Sequence, residues 1–317
     1  MSVLVVGADI GGTSTRAAVA TADGSVLALA VGGPGSPVGV GLESSAAEIR
    51  SVVDAALDGI EGVVVAYVLG LAGGSTARDD AVFAAAIRPG RSTVPPTLVS
   101  DPAVAFCSAT PAPEGYVLVG GTGAVAARVA DGEVTAWSDG LGWLLGDLGS
   151  GFWLGREAVR RTLLALQRGD ELTPLQRAVV ELAGSQDYVR IVSDCYADRP
   201  TAIGRYAPLV SEHVSDSPDA AAIAAEAADA LTATLSGLEP EPDLPVVLAG
   251  SLLSRPTPIA QLVRARLGER RNPVLTATEG TVGACWLALG ALGIDDPSVH
   301  ARLNATAAGL VPRRAAV

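Results

Sequence analysis

A glycine-rich β-hairpin that occurs twice is the feature that most constrains the fold of this chain. The first copy is the segment DIGGTST, residues 9–15, which lies between two apolar runs. The second copy is GGTG, residues 120–123, which again lies between two apolar runs. Apolar runs joined by a short glycine-rich turn predict antiparallel hairpins. Because the same unit returns in the second part of the chain, we expect two related halves.

The order of the other elements also predicts two halves. Apolar spacing gives the order βββαβαβ in the first half, and a pattern of strands and turns restarts at Gly115. An alanine- and leucine-rich block predicts inserted helices at about 155–240. We therefore expect an α/β protein in which residues 1–100 form an N-terminal domain, completed by a C-terminal helix at about 300–317. Residues 101–299 are expected to form the second domain.

Composition disfavours several kinds of chemistry and partner. The chain has no lysine, so all 22 of its Lys and Arg residues are arginines. Walker-A nucleotidases, protein kinases and Schiff-base enzymes each need a specific lysine. The formal net charge of −12 disfavours a nucleic-acid partner, because that binding depends on basic side chains. Backbone N–H groups, arginine and metal would have to hold any bound phosphate.

The expected location of the protein in the cell follows from two further observations. The sequence has no uninterrupted apolar run of about 20 residues, the length that spans a bilayer. Its first residues lack the basic segment of a signal peptide. We therefore expect a cytoplasmic protein without a membrane partner. Cys107, Cys195 and Cys285 are far apart in the sequence, which predicts buried free thiols and no disulfide framework.

The first glycine turn carries residues suited to holding a polyphosphate. Glycines let the backbone approach the phosphates and aim N–H groups at them, while threonine hydroxyls add donors. Asp9 could hold Mg²⁺ through water. Arg16 could add positive charge, or could be a solvent-facing strand residue. An ordinary hairpin turn is the alternative for each motif taken alone. The residues expected to bind nucleotide phosphates are Gly11, Gly12, Thr13, Thr15, Gly121, Thr122 and Gly123.

With these two hairpins the chain resembles the actin/hexokinase/Hsp70 ATPase superfamily. In that superfamily two such hairpins face each other and clasp the phosphates of ATP. The resemblance implies two duplicated ribonuclease-H-like (actin-type ATPase) domains with an interdomain cleft and a helical insertion in the second. It also implies an adenosine site at a third glycine motif, which here is Leu248-Ala249-Gly250-Ser251. Gly250 and Ser251 are the expected adenosine contacts.

Within the superfamily the chain is similar to the N-acetylglucosamine kinases and the BadF/BadG-type ATPases. The segment GWLLGDLGSG, residues 142–151, resembles the family pattern GWG-x-x-x-GDEGSG. Asp147 is retained, and in the kinases that aspartate faces the sugar hydroxyls. Leu148 stands where the family has glutamate, so no role of that glutamate carries over and the acceptor contacts can differ.

The longer segment 137–147 resembles the signature of actinobacterial glucosamine kinases. This resemblance implies that D-glucosamine is the acceptor and becomes glucosamine 6-phosphate. Asp139 or Asp147 could pair with the cationic 2-amino group through a charge-assisted hydrogen bond. Alternatively, Asp139 caps a turn before Gly140 and Asp147 binds hydroxyl groups. The expected sugar-binding residues are Asp101, Trp137, Ser138, Asp139, Gly140 and Asp147.

Asp101 is the candidate catalytic residue. It follows an expected strand at the place where sugar kinases of this type keep their catalytic aspartate. Phosphoryl transfer to an alcohol needs a carboxylate within hydrogen-bond reach of the attacking hydroxyl. Because Pro102 follows, a helix N-cap is the alternative role for this aspartate.

These observations predict an ATP- and Mg²⁺-dependent amino-sugar kinase, and we expect it to be a homodimer. An N-acetylglucosamine kinase is the first alternative. The second alternative is a BadF-type activator ATPase without sugar kinase activity. Such activators resemble this chain in the same motifs, but they hold an iron–sulfur cluster through cysteines at a dimer interface. The isolated cysteines of this chain offer no such pairing.

Overall fold

The structure is a computed structural model that describes residues 2–73, 80–90, 92 and 94–315. Contacts within the chain divide it into two units. The first unit comprises Met1–Gly115, Val129–Thr135 and Ala277–Val317, and the second comprises Tyr116–Arg128 and Ala136–Thr276.

Strands and helices alternate in a pattern that starts with a three-stranded meander. The strands are β1 (Val3–Ile10), β2 (Thr15–Thr21), β3 (Val26–Gly32), β4 (Val63–Leu71), β5 (Thr97–Ser100), β6 (Glu114–Gly120), β7 (Ala124–Ala130), β8 (Glu133–Asp139), β9 (Val246–Ala249), β10 (Val274–Thr276) and β11 (Arg313–Arg314). The helices are α1 (Pro37–Val40), α2 (Leu42–Leu57), α3 (Ala81–Ala86), α4 (Asp101–Ala109), α5 (Gly142–Leu145), α6 (Gly151–Arg168), α7 (Pro174–Ala183), α8 (Tyr188–Ala197), α9 (Ala207–Glu212), α10 (Pro218–Ser236), α11 (Pro258–Leu267), α12 (Gly280–Gly290) and α13 (Pro297–Ala308). A 3₁₀ segment, Pro200–Tyr206, precedes α9.

The sheet of the first unit has the strand order β11-β3-β2-β1-β4-β5. Strands β1, β2 and β3 pair antiparallel, whereas β1, β4 and β5 pair parallel. Parallel pairing brings the carboxyl ends of β1, β4 and β5 to the same edge. The register places Asp9, Gly70 and Val99 in one row across these strands. Residues that follow the strands at this edge therefore lie near one another.

Alternation along β1 separates the two faces of this sheet. Leu4, Val6, Ala8 and Ile10 belong to the core cluster that also contains the buried side chains of α2. Gly7 faces the other way, where a Cβ would lie 2.6 Å from the backbone oxygen of Thr281 in α12. Glycine at this position therefore allows α12 to pack directly on β1. Asp9, two residues further along, lies on the α12 face.

The sheet of the second unit has the order β10-β9-β6-β7-β8, with β9 parallel to both β10 and β6. Helices α6 to α10 form the predicted helical block, which begins four residues earlier than expected, at Gly151, because Ser150 caps α6. Buried residues of these helices share one core with β6, β7 and β9. No helix within the described ranges is long and apolar enough to cross a membrane.

The boundaries of the two units differ from the expected division after residue 100. Residues 101–115 and 277–299 lie in the first unit, because α4 and α12 pack on each other and on its sheet. Gly283 makes this helix contact possible, since a Cβ there would lie 2.7 Å from the backbone nitrogen of Ser108. The segment from residue 300 onward also belongs to the first unit, where β11 pairs with β3.

Candidate active site

Two carboxylates lie at the carboxyl edge of the first sheet. Asp9 is the penultimate residue of β1, just before the glycine turn, and Asp101 is the first residue of α4, directly after β5. Ser100 occupies the N-cap position of α4, so Asp101 does not have the alternative role of N-cap. The parallel pairing of β1, β4 and β5 brings the two aspartates close enough for their charges to interact.

Asp9 is the more perturbed of these carboxylates. Burial, and secondarily the negative charge of Asp101, raises its pKa from 3.8 to about 7. Arg16 opposes this rise, whereas Glu279 adds to it. The start of α12 encloses the carboxylate, because a Cβ on Gly280 would lie 2.6 Å from the Asp9 Cγ atom. A cation beside Asp9 would stabilise its ionised form.

The first glycine turn is mostly exposed. Gly12 and Thr13 are exposed, and a Cβ on Gly12 would meet no atom of the described residues within 4 Å. The turn is closed by a hydrogen bond from the Gly11 nitrogen to the Ser14 oxygen, at 3.0 Å. An open glycine backbone of this kind leaves room for a phosphate group to approach.

Thr15 does not join this exposed group. Its side chain is fully buried, and its hydroxyl has no hydrogen-bond partner among the described residues. The hydroxyl abuts Gly35, on the sheet face that carries Ile10 and the α2 core. Alternation along β2 thus directs Thr15 away from the face of Asp9. The structure places the expected phosphate contact of Thr15 inside the core, and only its backbone borders the turn.

The second glycine turn is held by two other segments of its unit. The nitrogens of Gly151 and Phe152, in the first turn of α6, donate to the oxygens of Gly121 and Thr122 at 2.8 and 3.1 Å. Asp147 accepts a hydrogen bond from the Ala124 nitrogen through Oδ1, at 2.9 Å. These bonds fix the turn before any ligand is present.

The Asp147 carboxylate is packed against the same turn. A Cβ on Gly123 would lie 2.8 Å from Asp147 Oδ1, so only glycine leaves room for the carboxylate. Burial raises the pKa of Asp147; the bond from Ala124 opposes this rise and Asp139 adds to it. Oδ2 of Asp147 accepts no hydrogen bond from the described residues. One oxygen is therefore available to a ligand.

Asp139 holds the loop that carries Asp147. Its Oδ1 accepts from the nitrogens of Asp147 and Leu141, at 3.0 and 3.3 Å, and its Oδ2 accepts from Leu148 at 3.3 Å. Asp139 also has a left-handed backbone conformation with φ 62°. These contacts match the alternative role of Asp139 as a turn cap. Both of its carboxylate oxygens already accept hydrogen bonds from the backbone.

The other expected sugar residues lie beside this loop. Trp137 is 53% exposed at the end of the edge strand β8, and Ser138 is partly buried. Gly140 has φ 76° and donates through its nitrogen to the Ala124 oxygen, at 3.2 Å. The indole ring of Trp137 thus offers an apolar surface in the same segment as Asp139.

A cavity of about 460 Å³ lies beside the second turn. Gly121 and Thr122 line it together with Ser251, which follows β9. Gly250 turns the chain here with φ 79°, and a Cβ there would lie 2.7 Å from the carbonyl carbon of Gly120. The structure thus brings Gly121 and Thr122, two of the expected phosphate residues, and Ser251, an expected adenosine residue, to one cavity, whereas Gly123 and Gly250 are not among its lining residues.

Sequence reasoning missed the opposite wall of this cavity. It is formed by residues of α6, the 3₁₀ segment and α9, and by Arg255. Apart from Gly151, which ends the motif at residues 142–151, neither a motif nor a glycine pattern marks these positions in the sequence. The place of the residues from α6, the 3₁₀ segment and α9 follows only from how the helical block folds back onto the second turn. The lining side chains with polar groups on this wall are Thr201 in the 3₁₀ segment, Ser211 and Glu212 in α9, and Arg255 and Thr257 after β9.

The residues at Asp9 suit a magnesium ion that is held mainly by water and phosphate oxygens. Among the described residues no group of three or more His, Cys, Asp or Glu side chains could hold a metal ion by itself. Mg²⁺ commonly uses only one or two carboxylates, completed by water and substrate phosphates. Asp9, with Asp101 nearby, supplies a donor set of this size.

Comparison with known proteins shows that this chain is similar to one family of ATPases and to kinases of N-acetylated sugars. Residues 6–288 match the BadF/BadG/BcrA/BcrD ATPase family. An N-acetylmuramic acid/N-acetylglucosamine kinase from Clostridium acetobutylicum is 25% identical over 202 residues, covering 61% of this chain and 64% of that protein. An N-acetyl-D-glucosamine kinase from Dictyostelium discoideum is 27% identical over 188 residues, covering 55% and 59%. The matches thus span less than two thirds of the length of these curated relatives.

A solved structure extends the similarity over nearly the whole chain. A protein from Chromobacterium violaceum, assigned as an N-acetylglucosamine kinase, has 28% identity and a TM-score of 0.74. The match covers 90% of this chain and 98% of that one. The two-sheet α/β architecture with its helical block is therefore the duplicated actin-type ATPase fold predicted from the sequence.

Proposed function

The chain belongs to the BadF/BadG/BcrA/BcrD ATPase family, and from this premise we propose that it is an ATP-dependent kinase of an amino sugar. The acceptor we propose is D-glucosamine, converted to glucosamine 6-phosphate. The similarity to N-acetylglucosamine kinases supports a sugar kinase within this family. The observation that carries the amino-sugar assignment is the Asp147 carboxylate, whose pKa is raised and whose Oδ2 accepts no hydrogen bond from the described residues.

In the first unit we assign the chemical step to the two carboxylates at the sheet edge. Asp101 accepts the proton of the attacking sugar hydroxyl, which makes that oxygen a better nucleophile. Asp9 would hold Mg²⁺, through water, beside the exposed turn at Gly12 and Thr13. When bound, the metal neutralises charge on the phosphate oxygens. The interaction between Asp9 and Asp101 supports their acting at one place.

In the second unit we assign nucleotide binding to the cavity beside the second turn. Gly121, Thr122 and Gly123 present backbone to the phosphates, and Gly250 and Ser251 border the adenosine. The cavity volume of about 460 Å³ is within the range of small-molecule sites. Bonds from α6 hold the turn in shape, so little ordering remains to be done when the nucleotide binds.

We assign different roles in acceptor binding to Asp147 and Asp139. Asp147 pairs with the 2-ammonium group of glucosamine, because a cation compensates the burial that raises its pKa. Asp139 keeps Asp147 in position through three backbone hydrogen bonds. Trp137, Ser138 and Gly140 border the sugar. An N-acetyl group would leave the Asp147 carboxylate without a cation, and sites built on a specific hydrogen bond reject analogues that lack it.

An N-acetylglucosamine kinase is the first alternative, favoured by the names of the similar proteins. In that case Asp147 would bind hydroxyl groups. An activator ATPase is the weaker alternative, because Cys107 and Cys285 are both buried and would need to be exposed to hold a cluster. The homodimeric state and the cytoplasmic location stay predictions from the sequence.

The test is a coupled ADP-release assay with glucosamine, N-acetylglucosamine and glucose, with ³¹P NMR to identify the product. We expect the highest kcat/KM with glucosamine and a phosphate on its 6-hydroxyl. A higher kcat/KM with N-acetylglucosamine would replace glucosamine by the first alternative. ADP release that no sugar stimulates, together with iron in the purified protein, would support the activator.

A further inference from the structure

Arg16 is a charged residue at the first turn that the proposed function does not use. In the β1–β2 hairpin it lies directly opposite Asp9, so both side chains project from the α12 face of the sheet. It is the second residue of β2, immediately after the exposed turn. The side chain remains 45% exposed. A guanidinium at this place can reach a ligand bound at the turn.

Glu279 fixes the position of this guanidinium. Arg16 Nη1 donates to Glu279 Oε2 at 2.5 Å. Glu279 is the N-cap residue of α12, and the next residue, Gly280, contacts the Asp9 carboxylate. The ion pair therefore connects the hairpin to the helix start that encloses Asp9.

The charges around Asp9 make a single cation important. Asp101 and Glu279 place negative charge near Asp9, and Arg16 places positive charge there. A nucleoside triphosphate that binds beside three carboxylates needs positive charge in addition to Mg²⁺. Arginine suits this task because its planar fork can donate two hydrogen bonds to one phosphate group.

A purely structural role explains the ion pair poorly. Both partners are nearly half exposed, with 45% and 46% of the side chains accessible. Exposed pairs of this kind contribute little to stability, because solvent screens the charges. Arg302 and Asp23 form a similar exposed pair in the same unit, with Nη1 to Oδ2 at 3.0 Å. That pair provides a matched control.

We propose that Arg16 binds the terminal phosphate of the nucleoside triphosphate and that Glu279 is the positioning residue that holds its guanidinium beside Asp9. This inference rests on the proposed function only in placing the nucleotide phosphates at the first turn. It assigns two residues to the binding of the γ-phosphate, and it requires ATP and ADP to differ in their dependence on Arg16.

The experiment measures dissociation constants of ATP and ADP by calorimetry in the presence of Mg²⁺ and without sugar. Arg16→Gln should weaken ATP binding about 10- to 100-fold, the usual effect of a lost charge-assisted hydrogen bond, while ADP binding changes by less than about 3-fold. Arg302→Gln should leave both constants unchanged. An unchanged ratio of ATP to ADP affinity in Arg16→Gln would overturn the role of Arg16.

Two substitutions of Glu279 test its positioning role. Glu279→Ala should weaken ATP binding, and Glu279→Gln should restore most of it, because the amide oxygen still accepts from Arg16. Stronger ATP binding in both variants would show that Glu279 only repels the phosphate, and would overturn the positioning role.

Since these measurements use no sugar, they separate the two proposals. A γ-phosphate effect in Arg16→Gln without sugar phosphorylation by the wild type would contradict only the proposed function. Sugar phosphorylation with an unchanged ATP to ADP ratio in Arg16→Gln would contradict only this inference.

Discussion

The turn at Gly11–Ser14 in the first unit is largely exposed, whereas the turn at Gly121–Gly123 in the second unit is tied to α6 and to Asp147. Both turns follow the pattern Gly-Gly-Thr, yet their acidic residues come from different places. In the first unit Asp9 stands on the strand itself. In the second unit the aligned strand position is Leu118, which is fully buried in the core.

This difference supports the different roles that we propose for the two glycine turns, one in the chemical step and one in substrate binding. The first turn combines an open backbone with Asp9, a carboxylate of raised pKa, which suits the proposed metal-dependent chemical step. The second turn is fixed by hydrogen bonds from α6 and by the bond from Ala124 to Asp147, and it lines a cavity, which suits the proposed binding and orientation of substrates. The two copies therefore differ within the repeat, at Asp9 and Leu118, and outside it, at Asp147 and α6.

The largest expected effect tests the chemical role of the first unit. Asp101→Asn should lower turnover by about 10²- to 10⁴-fold, because the attacking hydroxyl loses its general base, while ATP binding and the fold are retained. Steady-state kinetics with calorimetric ATP titration measures both quantities. Asp187→Asn, at the N-cap of α8, is the control for a helix-start aspartate and should turn over normally. Near-normal turnover in Asp101→Asn would remove Asp101 from the mechanism.

The second prediction concerns the carboxylate of Asp9, whose pKa is raised. Its pKa is raised from 3.8 in the unfolded chain to about 7, so the folded metal-free protein binds this proton more tightly than the unfolded chain. Stability from this residue is therefore greatest below about pH 4 and is lost as the pH rises to about 7. Asp9→Asn should make the metal-free protein more stable than the wild type at pH 8, by about 2–4 kcal/mol.

Chemical denaturation at several pH values, with EDTA present, measures this difference. It should shrink towards zero at pH 4, where both side chains are neutral. The same substitution should weaken the dependence of turnover on Mg²⁺, because the metal loses its carboxylate. Parallel stability profiles of the variant and the wild type between pH 4 and pH 8 would contradict the prediction.

A smaller effect separates the two aspartates of the second unit. Asp147→Asn should lower kcat/KM for glucosamine about 10- to 100-fold and for glucose much less, because only glucosamine carries the ammonium group. Asp139→Ala should lower the values for both sugars alike, since it loosens the loop without removing the ion pair. Equal losses for both sugars in Asp147→Asn would show that Asp147 binds hydroxyl groups instead.

The smallest expected effect is on the free energy of unfolding when a glycine of either turn is replaced by alanine. Gly12→Ala should change the free energy of unfolding by less than about 0.5 kcal/mol, because a Cβ there meets no neighbour, while it weakens ATP binding. Gly123→Ala should destabilise the second unit by about 1 kcal/mol or more, because its Cβ meets the Asp147 carboxylate at 2.8 Å. Thermal unfolding and ATP titration of both variants make the comparison. Equal stability losses in the two would argue against the difference in bracing.

Local patterns predicted the two glycine-rich hairpins and the helical block, and the resemblance of the motifs to known families implied the actin-type fold. The patterns rest on interactions between neighbours in the sequence, such as apolar alternation in β1 and the positive φ of Gly250. Asp9 was visible because it stands beside a glycine turn, whereas Asp101 and Asp147 were selected because their segments resemble those of sugar kinases.

Long-range packing decided the rest, because it depends on which segments meet in space. Only the tertiary structure shows that α12 returns from the end of the chain to enclose Asp9 and to place Glu279 against Arg16. It also directs Thr15 into the core and gives the cavity beside the second turn a wall from the helical block. The sequence by itself determined which residues could do chemistry, and the packing of distant helices on each sheet decided which of them can work together.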